Sequence, residues 1–262
     1  MTAPALAGGR VAGVQFSVLG TGDPVTVFAH GLGGTSAETR PLAARVPGTR
    51  ILLNFRGHGD SDALPGGWDY DLLAADLLAV ADHVGANACV GLSVGSGALL
   101  RALRDDPLRF DRLAFVLPAA LDATRSDGAS LRLASLGQAI DAGDTEQVAA
   151  LLLAEVPAHL RGSRAVPLLL HRRATDLVRR PAPIPLHADR PLRDRSVLSA
   201  VPAGALVVGQ ADDPLHPLAL ARELAQLLPS ASLLALPAGG VFWTATRAVQ
   251  TALAQHLTVE FP

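Results

Sequence analysis

An α/β fold with a mostly parallel central sheet flanked by helices is predicted by three observations. Short apolar runs alternate with longer Ala/Leu-rich segments, the rhythm of strands joined by crossover helices. The later runs each close in a loop rich in Gly, Pro, His or Asp, and in an open α/β sheet ligands bind at those carboxyl ends. The rhythm breaks between residues 120 and 200, where helical and Pro-interrupted stretches predict a helical cap insertion. The expected organisation is a core of residues 1–119 and 201–262 carrying a cap of residues 120–200.

Strands are expected at 11–18, 25–29, 50–55, 88–92, 113–117, 205–208 and 232–236, each a short run of β-branched or apolar residues. A helix over 69–84 carries a strongly apolar stripe that Asp71, Asp76 and Asp82 interrupt, and a second is expected over 97–104. Asp213, Pro214 and Pro217 mark the entry to a helix over 218–228, and Pro229 stops it. In the insertion, 129–142 and 145–153 read as helices. Pro181, Pro183, Pro185 and Pro191 then interrupt the chain.

Composition narrows the classes of function. The 262 residues are 49% hydrophobic, ample for one large core. A net charge of −2 with scattered charges offers no basic face, so no nucleic-acid partner is expected; Arg172, Arg173, Arg179 and Arg180 read as a solvated helix face. The single Cys89 excludes an intramolecular disulfide and fits a reducing compartment. Residues 1–10 lack a charged segment ahead of an apolar one, and no run of 18 apolar residues occurs, so a cytoplasmic protein without a membrane partner is expected. The eight histidines are dispersed, with no HxH or HExxH spacing, and neither a phosphate loop nor a dinucleotide fingerprint is present. No metal and no cofactor are expected; the partner is a small-molecule substrate.

Three motifs carry the chemistry. Gly91, Leu92, Ser93, Val94 and Gly95 spell GxSxG between a strand and a helix, the setting of a nucleophile elbow. Small glycines permit the tight turn that exposes the serine, and the helix N-terminus behind it favours developing negative charge. After strand 25–29 comes His30, Gly31, Leu32, Gly33, Gly34, whose main-chain N–H groups can approach a substrate oxygen. The N–H of Leu32 (or Gly33) with that of Val94 makes a candidate oxyanion hole. His30 reads first as a residue that orients this loop and second as a proton-transfer group, and it is counted among the substrate-binding residues. Arg56, Gly57, His58, Gly59, Asp60 and Ser61 complete the set, with His58 a scaffold residue.

In this order and spacing HGLGG, RGHGDS and GLSVG resemble the α/β-hydrolase fold family over nearly the whole chain. The resemblance implies a serine nucleophile, Ser93, with an acid after a late strand and a histidine after the next. Asp213, just ahead of Pro214, is the expected acid; Asp212 is its close alternative, and Asp122 remains open because some members place the acid one strand earlier. The histidine is expected after strand 232–236, following a glycine. Gly240 is present there, and position 241 is valine.

That valine leaves several readings open. A hydrolase whose base has moved would use His216, three residues beyond Asp213; the competing reading makes His216 padding at a helix entry. A lyase, isomerase or cyclase would keep the oxyanion hole and dispense with an activated serine. A ligand-binding pseudoenzyme would use only the pocket, lined by Trp68, Val241, Phe242, Trp243 and Phe115. Val241 as a deliberate replacement of histidine is the last. His256 reads as a surface residue of the C-terminal helix. The leading expectation is an enzyme acting on a small, largely apolar carbonyl compound (ester, thioester or lactone) through a degenerate triad.

Overall fold

A computed structural model describes residues 7–64, 67–123, 128–179 and 189–258. Arg180, Pro181, Pro183 and Pro185 lie outside them, as do residues 1–6 of the N-terminal segment. Eight strands form one sheet: β1 (Gly9–Val11), β2 (Val14–Leu19), β3 (Val25–Ala29), β4 (Thr49–Asn54), β5 (Ala88–Leu92), β6 (Arg112–Val116), β7 (Gly204–Gln210) and β8 (Ala231–Leu236). Their order is β1-β2-β4-β3-β5-β6-β7-β8. The β1–β2 and β2–β4 pairings are antiparallel and all others parallel.

Every residue of β5 and β7 is buried, as near-continuous apolar strands covered on both faces must be. On one face pack α2 (Tyr70–Val84), α3 (Val94–Asp105) and α7 (Leu218–Leu227), contributing Leu73, Leu77, Leu99, Leu103 and Leu224. On the other, α1 (Ser36–Ala43) and α8 (Thr246–Thr258) contribute Leu42, Val249 and Leu253. Cys89 is wholly buried in β5, and burial pushes its thiol far up, which makes it inert.

Two expected elements are corrected. The strand over 11–18 is a hairpin: Ala12 (φ 48°) and Gly13 (φ 81°) make the two-residue turn between β1 and β2. An apolar alanine in a left-handed conformation carries no turn signal. The helix expected from 97 begins at Val94, directly after the serine, because Gly95 and Gly97 serve close packing within the first turn.

The acidic interruptions of α2 have particular uses. Asp69 Oδ1 caps the helix by accepting from Leu72 N at 2.7 Å. Asp76, 3% exposed, accepts from Arg56 N at 2.9 Å and Arg56 Nε at 2.6 Å, pinning the loop that follows β4. Burial raises its carboxyl, against the pull of Arg56. Asp76→Ala is expected to cost roughly 2–4 kcal/mol of stability, read as a lower urea midpoint, because it strips a buried charged acceptor from the part-buried Arg56 N–H and guanidinium.

Between β6 and β7 lie α4 (Gly128–Asp141), α5 (Thr145–Leu153) and α6 (Ala165–Val178). They share a separate apolar cluster that includes Ile140, Val148, Leu152, Val166, Leu170 and Ala174, with Trp243 of the core packed against it. His256 is half-buried rather than at the surface, with Nε2 2.9 Å from the Leu113 carbonyl oxygen; burial lowers its pKa. Among the described residues no helix is long and apolar enough to cross a membrane.

Candidate active site

Ser93 follows β5 at the carboxyl edge of the sheet with φ 51° and ψ −109°, a conformation rare for a residue with a side chain. Its flanking glycines allow it. A Cβ on Gly91 would meet Gly95 O at 2.5 Å, and one on Gly95 would meet Ala29 O at 2.4 Å. The turn therefore packs backbone on backbone, and Ser93 N is fixed by donating to Val116 O at 2.9 Å.

The loop after β7 supplies the other two groups. Asp213 Oδ1 accepts from Leu215 N and His216 N, both at 2.9 Å, which closes the loop around the carboxylate. Asp213 Oδ2 lies 3.1 Å from His216 Nδ1, and His216 Nε2 lies 2.9 Å from Ser93 Oγ. Burial pushes the Asp213 carboxyl up, but the hydrogen bond and charge of His216, helped by the two N–H groups, outweigh it and leave the carboxyl below its ordinary value. An ionised Asp213 accepts the Nδ1 proton, so Nε2 presents a lone pair to the serine.

Serine, imidazole and carboxylate thus form one hydrogen-bonded line. The imidazole in this line comes from the same loop as Asp213, while position 241, where a histidine was expected, holds valine. Val241 is 1% exposed, packed in the apolar cluster that holds Leu117, Val208 and Leu236. Asp212 (φ 57°) turns the chain so that the next carboxylate, rather than its own, meets His216. Asp122 is engaged elsewhere: both its oxygens bind the Arg195 guanidinium, which holds its carboxyl low.

Val94 is the first residue of α3, so its N–H has no intrahelical acceptor. Gly31 O accepts from Gly34 N at 3.0 Å, a turn whose hydrogen bond leaves the Leu32 and Gly33 N–H groups unused. Leu32 and Val94 line the same cavity as Ser93. His30 does not. It is wholly buried, with Nδ1 donating to Gly31 O at 2.7 Å and Nε2 accepting from Phe55 N at 3.1 Å, so both nitrogens hold main chain and the substrate-contact reading is corrected. Phe115 is likewise core and no part of the cavity wall.

The cavity has a volume of about 870 Å³, within the range of small-molecule sites. Trp68, Val241, Phe242 and Trp243 line it. Trp68 is stacked on His58 at 4.3 Å, which makes this pair a rigid wall. Leu136, Ile140, Leu152 and Leu170 of α4, α5 and α6 close the far side.

Charged groups that sequence patterning missed also face this space. Arg172 and Arg179 are exposed, as expected of a solvated face, although Arg172 also borders the cavity; Arg173 is partly buried and lines it. Glu155 opens onto the cavity, and the protein mass around it pushes its carboxyl up against the charges of Arg173 and His216. No periodicity separates such residues from surface charge; only the closing of α5 and α6 over the sheet does. Among the described residues no group of three or more His, Cys, Asp or Glu is placed to hold a metal ion.

The sequence pattern of the Alpha/beta hydrolase family matches residues 26–254. A curated Synechocystis protein provisionally named a non-heme chloroperoxidase is 35% identical over 95 residues, 34% of each chain, so the match spans about a third of that relative's length. Among solved structures, an esterase from Exiguobacterium antarcticum superposes with a TM-score of 0.77 at 17% identity, covering 94% of this chain and 96% of that one. An alpha/beta hydrolase from Sphaerobacter thermophilus gives 0.74 at 23% identity, covering 96% and 100%. A meta-cleavage product hydrolase from Pseudomonas fluorescens gives 0.77 at 16%, covering 96% and 97%. At these identities the structural likeness is one of fold.

Proposed function

The chain belongs to the alpha/beta hydrolase family, and from that premise we propose that it is a serine hydrolase of small, largely apolar esters, thioesters or lactones, with His216 as the base. One observation carries this reading: His216 bridges Ser93 Oγ at 2.9 Å and Asp213 Oδ2 at 3.1 Å. A helix-entry pad has no need of either contact.

In the proposed reaction His216 Nε2 takes the Ser93 Oγ proton as the oxygen attacks the substrate carbonyl. Asp213 stabilises the resulting imidazolium. The N–H groups of Leu32 and Val94 receive the oxyanion, at the positive end of α3. His216 then protonates the leaving alcohol or thiol, and water, deprotonated by the same nitrogen, releases the acid from Ser93. The apolar walls of the cavity fit an uncharged acyl or alcohol portion. The non-hydrolytic readings were motivated by valine at 241, and they lose that motive once another imidazole faces the serine.

Brief incubation with p-nitrophenyl acetate, acid quench and peptide mass analysis test the proposal. Nitrophenol release with one acetyl group on the Ser93 peptide is expected. Turnover with Ser93 unacylated would favour chemistry without an acyl-enzyme.

A further inference from the structure

Glu38, on α1, makes two contacts that meet at the oxyanion loop. Its Oε2 accepts from Gly31 N at 3.0 Å, and its Oε1 lies 3.6 Å from Arg173 Nη2 on α6. The peptide on the other side of Gly31 is fixed as well, because Gly31 O accepts from Gly34 N and from His30 Nδ1. That second peptide carries the Leu32 N–H. Gly31 is therefore held on both sides, by two hydrogen bonds to its carbonyl oxygen on the Leu32 side and by the one that Glu38 accepts from its N–H.

The loop has been shaped around these partners. A Cβ on Gly34 would lie 2.1 Å from Glu38 Oε2, and one on Gly33 would lie 2.0 Å from Leu177 Cδ2. Arg173 and Leu177 are one turn apart on α6 and share a face. The same helix thus presses Leu177 on the loop and pairs Arg173 with the loop's carboxylate.

We propose that Glu38 is a positioning residue that ties α6 to the oxyanion loop, so that the loop's N–H groups stay aligned while α6 is seated through Arg173 and Leu177. The proposal rests on the serine-hydrolase reading. It assigns Glu38 no contact with the reacting atoms; its effect passes through the Gly31 peptide.

Three variants separate the two contacts: Glu38→Ala removes both, Glu38→Gln keeps an oxygen for Gly31 N, and Arg173→Met removes only the ion pair. Glu38→Ala is expected to lower kcat on p-nitrophenyl acetate by about 10- to 100-fold with KM little changed, since misaligned donors cost the transition state. Glu38→Gln should recover most of that loss. Arg173→Met should lose about 2- to 5-fold, the scale of a half-exposed ion pair, with no further loss when combined with Glu38→Gln.

An unchanged kcat and unchanged fluorophosphonate labelling rate in Glu38→Ala would overturn the proposal, as would additive losses in the Glu38→Gln, Arg173→Met double variant. Wild-type protein labelled alongside distinguishes the failures. If the wild type does not label, the serine-hydrolase reading falls; if it labels quickly and Glu38→Ala keeps pace, only the role of Glu38 falls. Should Glu38→Ala not fold, the Gln and Met pair alone decides through additivity.

Discussion

His216→Ala is expected to lower kcat by about 10⁶-fold, or about 8 kcal/mol of barrier, on an ester the wild type turns over. The size follows from geometry. Ser93 Oγ has His216 Nε2 at 2.9 Å, and without it the hydroxyl must lose its proton to water. KM should change little, because the oxyanion donors and the cavity walls are untouched. Because the two residues act as a unit, Ser93→Ala with His216→Ala should be no worse than either alone. A padding role would give a different pattern: a lower melting temperature with kcat nearly intact. Initial rates with a chromogenic ester, beside thermal unfolding, separate the two.

Asp213→Asn is expected to lower kcat by about 10⁴-fold while leaving the fold in place. Asparagine keeps an oxygen for Leu215 N and His216 N, so the loop stays closed. Its NH₂ group then faces His216 Nδ1, where a carboxylate oxygen stood at 3.1 Å. Nδ1 must become the acceptor, the ring proton moves to Nε2, and the face toward Ser93 can no longer take a proton. Asp212→Asn should leave kcat within a few-fold, since its side chain is exposed and contributes nothing to the line. Equal losses from the two substitutions would contradict the assignment of the acid. In the wild type, His216 and the loop amides hold the Asp213 carboxyl below its ordinary value, so mild acid leaves it ionised.

Much of the sheet was legible because its strands are short apolar runs between turn residues. Predicted and observed bounds for β3 and β5 coincide, and those of β4, β6, β7 and β8 differ by a residue or two. The first strand was not legible as a hairpin, since Ala12 gives no sign of its left-handed conformation. The loops that carry Ser93 and Asp213 could be located because they follow strands that converge on one edge. Whether Asp212 or Asp213 faces inward depended on the backbone angle at Asp212, which residue type does not reveal.

The imidazole beside Ser93 was the hardest part to see. A histidine three residues after an aspartate at a helix entry is locally a turn residue; it meets Ser93 only because β7 and β5, with β6 between them, bring residues 123 positions apart within a hydrogen bond. Val241 was readable as an apolar residue in an unexpected place, but its burial against Leu117 and Val208 required the packed sheet. His30 was legible in its leading reading, as a residue that orients the loop: both its nitrogens hold main chain, and only the substrate contact also expected of it is not seen.

Fluorophosphonate labelling, followed by intact mass, tests the relocated base most directly, because the probe reports serine activation without a known substrate. Wild type, His216→Ala, Ser93→Ala and Val241→His would be compared. The expected result is one phosphonyl group on wild-type Ser93 within minutes, labelling slowed by several orders of magnitude in His216→Ala, none in Ser93→Ala, and no gain from Val241→His. A wild type that resists the probe until Val241 is replaced by histidine would contradict the account, since position 241 would then be the base this site lacks.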